Sequence, residues 1–390
     1  MIPEVTYLDN AATTAMLPEA FEVFAREAAT VGNASSLHGA GRRARKVVEE
    51  SREKLATAVG AKPQEIIFTA SGTEANNLAV KGMFWHTQRK NPQRRAICST
   101  PIEHHAILDP LEWLEREQHA SLYLAAVDES GVTSEENVDE IFSEHGDEIS
   151  FATVMHSNNE VGAVQPVAEI AAIAREYQIP FHTDAVQSFG KVSLHFAELG
   201  VDAMTISGHK IGGPLGVAAL VAKKNLGLTP LLHGGGQERD VRSGTLHTPA
   251  IAAFATAAEI SQQRLASNHA HIRALREMLI TGITQSVPDV SVNGGAHTLP
   301  GIAHFTFVGA EGDALLLLLD AQGVQCSTGS ACSAGIAQPS HFLLAMGRAP
   351  KVARSSIRFS IGPTTTEGDI NRAISVIGEV ATRARAAGVK

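Results

Sequence analysis

Short apolar runs and longer stretches with helical spacing alternate along most of the chain. In the apolar runs nearly every position is hydrophobic, as is typical of strands buried on both faces of a sheet. These runs predict strands at residues 65–69, 95–99, 121–127, 150–156, 180–184, 203–207 and 216–222. The stretches between them predict helices at residues 73–89, 106–118, 135–143, 166–177 and 194–199. Such alternation predicts βαβ units, and therefore an α/β fold with a mostly parallel seven-stranded sheet flanked by helices.

The pattern changes after a long helical stretch at residues 249–284. Beyond it, shorter predicted strands at 290–293, 301–307 and 355–361 alternate with predicted helices at 312–322, 339–346 and 367–387. This second region indicates a smaller α/β domain. We therefore expect a large domain over residues 15–262, and a small domain formed by residues 1–14 and 263–390.

Composition excludes several classes of protein. The 390 residues include 41 acidic and 32 basic side chains, and a net charge of −9 argues against a nucleic-acid-binding surface. No apolar run approaches the roughly 20 residues that a membrane span needs, and no signal peptide is visible. The three cysteines, Cys98, Cys326 and Cys332, are too few and too scattered for a disulfide framework. We therefore expect a cytoplasmic protein that binds neither membranes nor nucleic acid directly.

Polar residues follow several of the predicted strands where each strand ends. They are the turn Ser71-Gly72-Thr73, His104, Asn158, Asp184 and Lys210. In open parallel sheets, ligands bind outside the carboxyl ends of the strands. We therefore expect these residues to converge on one site.

Three of these features have an ordinary and a catalytic interpretation each. Lys210 either points to water or forms a Schiff base with an aldehyde cofactor such as pyridoxal phosphate. The Ser71-Gly72-Thr73 turn is either a helix N-cap or a seat for a phosphate group. Asp184 is either another N-cap or the carboxylate that keeps a pyridine nitrogen protonated. Together the three favour a pyridoxal phosphate enzyme.

The remaining candidates are more ambiguous by themselves. His104 is either a loop histidine or a ring stacked on a flat cofactor, and Glu103-His104-His105 lacks the spaced partners of a metal site, so we predict no metal. Cys332 lies in a loop of small residues that suits an exposed nucleophile, whereas Cys326 ends a strand and is expected to be structural. Arg358 either faces solvent or holds a substrate carboxylate.

These motifs resemble those of the cysteine desulfurases, pyridoxal phosphate enzymes of fold type I in the class V aminotransferase superfamily. The resemblance is carried by Tyr7-Leu8-Asp9-Asn10-Ala11-Ala12-Thr13-Thr14, Met155-His156-Ser157-Asn158-Asn159-Glu160-Val161-Gly162, Ser207-Gly208-His209-Lys210 and Ser356-Ile357-Arg358-Phe359-Ser360. The loop Gly329-Ser330-Ala331-Cys332 is similar to that of the group I (IscS/NifS-like) branch. The resemblance extends over nearly the whole chain.

The resemblance implies a role for each matching residue. Lys210 would bond covalently to pyridoxal 5'-phosphate, His104 would stack on its ring and move protons, and Cys332 would accept sulfur. Asp184 would bind the ring nitrogen and Gln187 the ring hydroxyl, while Asn158 and Arg358 would hold the substrate carboxylate. The implied phosphate ligands are Gly72, Thr73, Ser207 and His209, with Thr245 reaching in from the other subunit of a homodimer.

The function implied is the removal of sulfur from L-cysteine, giving L-alanine and a persulfide on Cys332. The sulfur would pass to an acceptor protein for iron–sulfur cluster assembly or another thiolation. A selenocysteine lyase or another class V aminotransferase-type enzyme is the alternative, and Cys332 separates them because an aminotransferase has no use for this thiol. A non-catalytic scaffold with the same fold is disfavoured by the presence of Lys210, Asp184 and His104.

Overall fold

The computed structural model describes residues 5–329 and 339–387. Its strands are β1 (Thr6–Tyr7), β2 (Ile66–Thr69), β3 (Ala96–Ser99), β4 (Ser121–Leu124), β5 (Ile149–Thr153), β6 (Phe181–Asp184), β7 (Ala203–Ser207), β8 (Ala218–Ala222), β9 (Val290–Asn293), β10 (Ile302–Phe307), β11 (Val324–Gln325) and β12 (Ser356–Ser360). Its helices are α1 (Pro18–Ala28), α2 (Gly39–Val59), α3 (Gly72–Lys90), α4 (His105–Gln118), α5 (Glu135–His145), α6 (Val167–Glu176), α7 (Phe196–Leu199), α8 (Thr248–Gln263), α9 (Leu265–Ser286), α10 (Gly312–Ala321), α11 (His341–Ala345), α12 (Pro350–Ala353) and α13 (Glu367–Ala387).

The central sheet has seven strands in the order β2-β8-β7-β6-β5-β3-β4. Strand β8 runs antiparallel to both of its neighbours, and the pairs from β7 through to β4 are parallel. Every residue of β5, β7 and β8 is buried, which explains why these segments read as continuous apolar runs. The predicted α/β fold with a mostly parallel sheet is confirmed.

Helices cover both faces of this sheet. On one face, residues such as Val48 of α2 and Phe254 of α8 pack in one buried apolar cluster. On the other, Met83 of α3 and Leu111 of α4 belong to a second cluster. Within residues 5–329 and 339–387, no helix combines the length and hydropathy that a membrane span requires.

The long helical stretch predicted at residues 249–284 is two helices, and the prediction of one was wrong. Helix α8 ends at Gln263 and α9 begins at Leu265, with Arg264 between them at ψ 5°. Helix α8 packs on α1 and α2, whereas α9 packs on α13. The chain turns at Arg264 because the two helices are buried against different partners.

A smaller antiparallel sheet, in the order β12-β10-β9, forms a second apolar core with α9, α10 and α13. The N-terminal segment belongs to this core, because β1 pairs in parallel with β11 and Leu8 is fully buried in it. The division into a domain of residues 15–262 and a domain of residues 1–14 and 263–390 stays a prediction.

Candidate active site

A cavity of about 410 Å³ opens at the carboxyl ends of β2, β3, β5, β6 and β7, and we refer to it as the strand-end cavity. Its volume lies in the range typical of small-molecule sites. Most of the predicted site residues line it, although they come from different strands, helices and loops. These are Gly72, Thr73, His104, Asp184, Gln187, Ser207, His209, Lys210 and Arg358.

Asn158 does not line the cavity. It is buried, and its Oδ1 accepts hydrogen bonds from the backbone N–H groups of Glu160 (2.7 Å) and Val161 (3.0 Å). The next residue, Asn159, lines the cavity instead. Two adjacent asparagines look alike in a sequence, and only the path of the backbone shows which one faces the ligand space.

Thr245 lies elsewhere. Thr245 is exposed and borders a separate surface groove with Thr30 and Gly32, so it does not line the strand-end cavity of its own chain. Cys332 lies outside the described residues. Gly329, shortly before it in the chain, lines the cavity.

Lys210 follows β7 in a single 3₁₀ turn. Its Nζ donates to the carbonyl oxygens of Ala11 (2.5 Å) and Ala12 (2.7 Å) in the N-terminal segment. Desolvation and the charge of Arg358 lower the pKa of Lys210 to about 8, against the opposing effect of Asp184. A substantial fraction of this lysine is therefore a neutral, nucleophilic amine near pH 8.

Asp184 ends β6 with its carboxylate held on both oxygens. Oδ2 accepts from Nδ2 of Asn76 at 2.6 Å, and Oδ1 accepts from the backbone N–H of Val186 at 2.9 Å. Asn76 lies one turn inside α3 and was not predicted as a site residue. The sequence signal for it is weak, because an asparagine in a helix is usually exposed and this one is buried.

The N-terminus of α3, where the sequence predicts a phosphate seat, lines the cavity. Ser71 caps this 19-residue helix by accepting from the backbone N–H of Glu74 at 3.1 Å. The other N–H groups of the first turn point out of the end of the helix that lies at the cavity. A Cβ on Gly72 would lie 3.2 Å from Val186, which favours glycine at this close approach. Across the cavity, desolvation lowers the pKa of His209 to about 4, so its ring is neutral.

His104 is the N-cap of α4, and its Nδ1 accepts from the backbone N–H of Ala106 at 3.0 Å. The ring lines the cavity. Desolvation by the surrounding protein lowers the pKa of His104, with the charge of Lys210 adding to the effect and the charge of Asp184 opposing it. The ring is therefore neutral near pH 7. Because Nδ1 is an acceptor, the proton of the neutral ring lies on Nε2.

Arg358 lies on β12 and is buried at the wall of the cavity. Its Nη2 donates to Oδ1 of Asp9 at 2.7 Å, and its Nη1 donates to the carbonyl oxygen of Asn159 at 2.8 Å. The buried Nε has no partner. An arginine held from two sides, with donor capacity to spare, is suited to bind a carboxylate.

The cavity fits pyridoxal phosphate. A helix N-terminus stands at one end for a phosphate, a carboxylate stands at the end of β6 for a pyridine nitrogen, and an amine of lowered pKa lies near both. The buried Nε of Arg358 and Oδ1 of Asn76, which lack partners, leave hydrogen-bonding capacity at this wall for a ligand. The donor set is therefore that of an aldehyde cofactor carrying a phosphate.

Comparisons with known proteins agree with this geometry. The class V aminotransferase family model matches residues 6–373. The chain is 47% identical to the IscS-like cysteine desulfurase of Mycobacterium tuberculosis, with 98% of each chain covered. It is 40% identical to the cysteine desulfurase IscS of Dictyoglomus turgidum, over 97% of this chain and 95% of the relative.

A solved structure of a NifS-like protein from Rickettsia africae superposes with a TM-score of 0.87 at 32% identity, and it covers 97% of this chain and 100% of the other. The similarity in fold and the similarity in sequence thus both extend over nearly the whole chain. The chain therefore belongs to the class V aminotransferase family, within its branch of IscS-like and NifS-like proteins.

Proposed function

We propose that this protein is a cysteine desulfurase that moves the sulfur of L-cysteine onto Cys332. The observation that carries the proposal is the full-length similarity to IscS-like cysteine desulfurases, together with a cavity in which Lys210, Asp184 and His104 meet. Lys210, Asp184, Gln187 and the start of α3 would hold pyridoxal phosphate. When bound, this cofactor supplies an aldehyde carbon and a ring that withdraws electrons from the substrate Cα.

The residues of the chain divide the remaining work. Arg358 and Asn159 form the wall that suits the substrate carboxylate, and Arg358 supplies the charge. Lys210, with its lowered pKa of about 8, is the base for the proton on the substrate Cα. His104 would stack on the cofactor ring, and the Nε2–H of its neutral imidazole would donate a hydrogen bond within the cavity.

The overall reaction is balanced without an external oxidant. The Cβ–S bond of L-cysteine breaks, and its sulfur forms an S–S bond with the sulfur of Cys332. Cysteine is reduced to alanine, and the Cys332 thiol is oxidised to a persulfide. The proton of the thiol offsets the proton that the alanine methyl group gains.

The decisive experiment supplies the purified, cofactor-loaded protein with L-cysteine and measures alanine and, with a reductant present, sulfide. We expect the two products in equal amounts. Cys332→Ala should abolish both, whereas Cys98→Ala should retain them because Cys98 is buried in β3, away from the cavity. Full alanine and sulfide release by Cys332→Ala would disprove the persulfide route. Faster turnover of L-selenocysteine by that variant would favour a selenocysteine lyase.

We also propose that the protein acts as a homodimer, in which Thr245 of one protomer binds the phosphate in the cavity of the other. Supporting this, Thr245 is exposed and borders a groove beside residues 30–32, where Val31 is 84% exposed. Sedimentation analysis should show a dimer, and Thr245→Ala should weaken pyridoxal phosphate binding. A monomer with unchanged cofactor affinity would contradict the proposal.

The persulfide on Cys332 would then pass to an acceptor protein in a reducing, cytoplasmic compartment. Iron–sulfur cluster assembly and other thiolations use the same chemistry, because each begins with attack by an acceptor thiolate on the outer sulfur. Loading the protein with ³⁵S-labelled cysteine and capturing the labelled acceptor tests this step. With the wild-type protein the label should appear on the acceptor, and with Cys332→Ala it should not.

A further inference from the structure

Lys191 lies beside the strand-end cavity in the turn after β6, and neither the family resemblance nor the mechanism above gives it a role. Its Nζ donates to Oε1 of Gln187 at 2.8 Å. In the part of the chain that the structure describes, no carboxylate forms an ion pair with this amine. Lys191 is half-buried. A partly desolvated cation without a countercharge is costly, so the single hydrogen bond of its Nζ to Gln187 calls for a reason.

The surroundings make the contact with Gln187 more costly to replace. Lys191 borders a second cavity, of about 220 Å³, whose walls include the apolar side chains of Ile211, Ile260 and Ile272. Desolvation, with the charges of Lys210 and Arg358, lowers the pKa of Lys191 to about 7. The amine donates to the amide oxygen of Gln187 whether it is charged or neutral.

The two ends of the Gln187 amide therefore have different and complementary partners. Oε1 accepts from Lys191, and Nε2 donates to the carbonyl oxygen of Ala11 at 2.9 Å. The side chain is buried, so water cannot readily replace either contact. A flipped amide would direct its oxygen at a carbonyl that can only accept, which would lose a hydrogen bond and add repulsion.

We propose that Lys191 is a positioning residue, which holds the amide of Gln187 with its NH₂ group toward the ring oxygen of pyridoxal phosphate. The proposal rests on the proposed function, in which Gln187 lies against that oxygen. An anionic ring oxygen requires a donor, and the amide can present its nitrogen or its oxygen. Lys191 selects the nitrogen because it occupies the oxygen.

The test is a double-mutant cycle on the cofactor-loaded protein without substrate. The readout is the pH midpoint at which the visible absorbance of the bound cofactor changes, for wild type, Lys191→Met, Gln187→Met and the double variant. Without this donor, the ring oxygen binds more tightly the proton that it shares with the nitrogen of Lys210. Each single variant should therefore raise the midpoint by about 1 pH unit. The double variant should shift it no further than Gln187→Met alone.

Two more variants separate positioning from charge and from general damage. Lys191→Arg keeps a donor and should return the midpoint to about the wild-type value, while Lys224→Met, an exposed lysine, should not shift it. Additive shifts in the double variant would overturn the proposal, because Lys191 would then act through its charge alone. An unchanged midpoint in Lys191→Met would overturn it as well. Because the titration uses no cysteine, its outcome is independent of whether the protein releases sulfur.

Discussion

At the scale of single residues, two adjacent asparagines have different roles, one in holding a loop and one at the cavity. Asn158 uses its Oδ1 for the backbone of Glu160 and Val161, whereas Asn159 faces the strand-end cavity. The first asparagine shapes the loop that holds the second in position. Their substitutions should therefore affect different measurements.

We expect Asn158→Ala to lower the free energy of unfolding by about 1–3 kcal/mol, because two buried N–H groups lose their acceptor. Asn159→Ala should leave stability nearly unchanged and raise KM for L-cysteine by about tenfold, the effect of losing a hydrogen bond to a charged ligand. Thermal unfolding and steady-state kinetics on both variants measure this. Equal effects of the two variants on KM would show that the cavity wall has been assigned to the wrong asparagine.

Lys210 should leave a signature in the stability of the cofactor-free protein. Its pKa is about 8 in the folded chain and near 10.5 in the unfolded chain, so between these values the unfolded state binds more protons. Stability due to this group therefore rises as the pH increases from about 8 to 10. Relative to Lys210→Met, the wild type should gain up to about 3 kcal/mol over that interval. A difference that stays constant with pH would contradict the lowered pKa.

At the scale of elements, the buried carboxylate of Glu238 anchors the glycine-rich loop at residues 233–245. Glu238 accepts from Arg52 of α2 at 2.7 and 2.8 Å and from the backbone N–H of Phe68 in β2 at 2.9 Å. A second pair joins the loop to α3, between Arg242 and Glu74. The loop that carries Thr245 is thus tied to the same helix whose N-terminus lines the strand-end cavity.

Glu238→Gln should lower the free energy of unfolding by about 3 kcal/mol, because the buried guanidinium of Arg52 then keeps only its pair with the half-exposed Glu49. Glu259→Gln is the matched control, since its pair with Lys54 is about half exposed and should contribute less than about 1 kcal/mol. Chemical denaturation of both variants gives the comparison. A small effect of Glu238→Gln would mean that the loop is held by its other contacts.

Helix α3 and helices α8 and α9 show what hydrophobic periodicity can and cannot resolve. The start of α3 at a Ser-Gly-Thr turn was predictable because small polar residues cap helices. The break at Arg264 was not, because the apolar spacing continues through it from α8 into α9. Only the separate packing partners of the two helices, α1 and α2 for one and α13 for the other, separate them.

At the scale of the whole molecule, the N-terminal segment joins the small sheet to Lys210. Asp9 pairs with Arg358 on β12, and two residues later the carbonyl oxygens of Ala11 and Ala12 accept from Lys210. Ala11 and Ala12 also line the cavity. The charge on Asp9 competes with any carboxylate that Arg358 binds.

Asp9→Asn should consequently have two opposite effects. The free energy of unfolding should fall by about 1–2 kcal/mol as the partly buried pair with Arg358 weakens. The cofactor-loaded protein should bind the product L-alanine several-fold more tightly, because the guanidinium is then free of a competing charge. Thermal unfolding and a spectral titration with L-alanine measure the two effects. Weaker binding of L-alanine would show that Asp9 orients Arg358 rather than competing for it.

By itself, the sequence determined the α/β fold, most of its elements and which residue types meet at the cavity. Apolar runs specify buried parallel strands, and the carboxyl ends of such strands meet at one edge, so Asp184, His104 and Lys210 were expected together. The tertiary structure decided what depends on contacts between distant segments. It placed Asn159, rather than Asn158, at the cavity. It also brought Asn76 within hydrogen-bond distance of Asp184, and Lys191 within hydrogen-bond distance of Gln187. Side-chain direction and partner choice follow from packing, and a linear pattern does not carry that information.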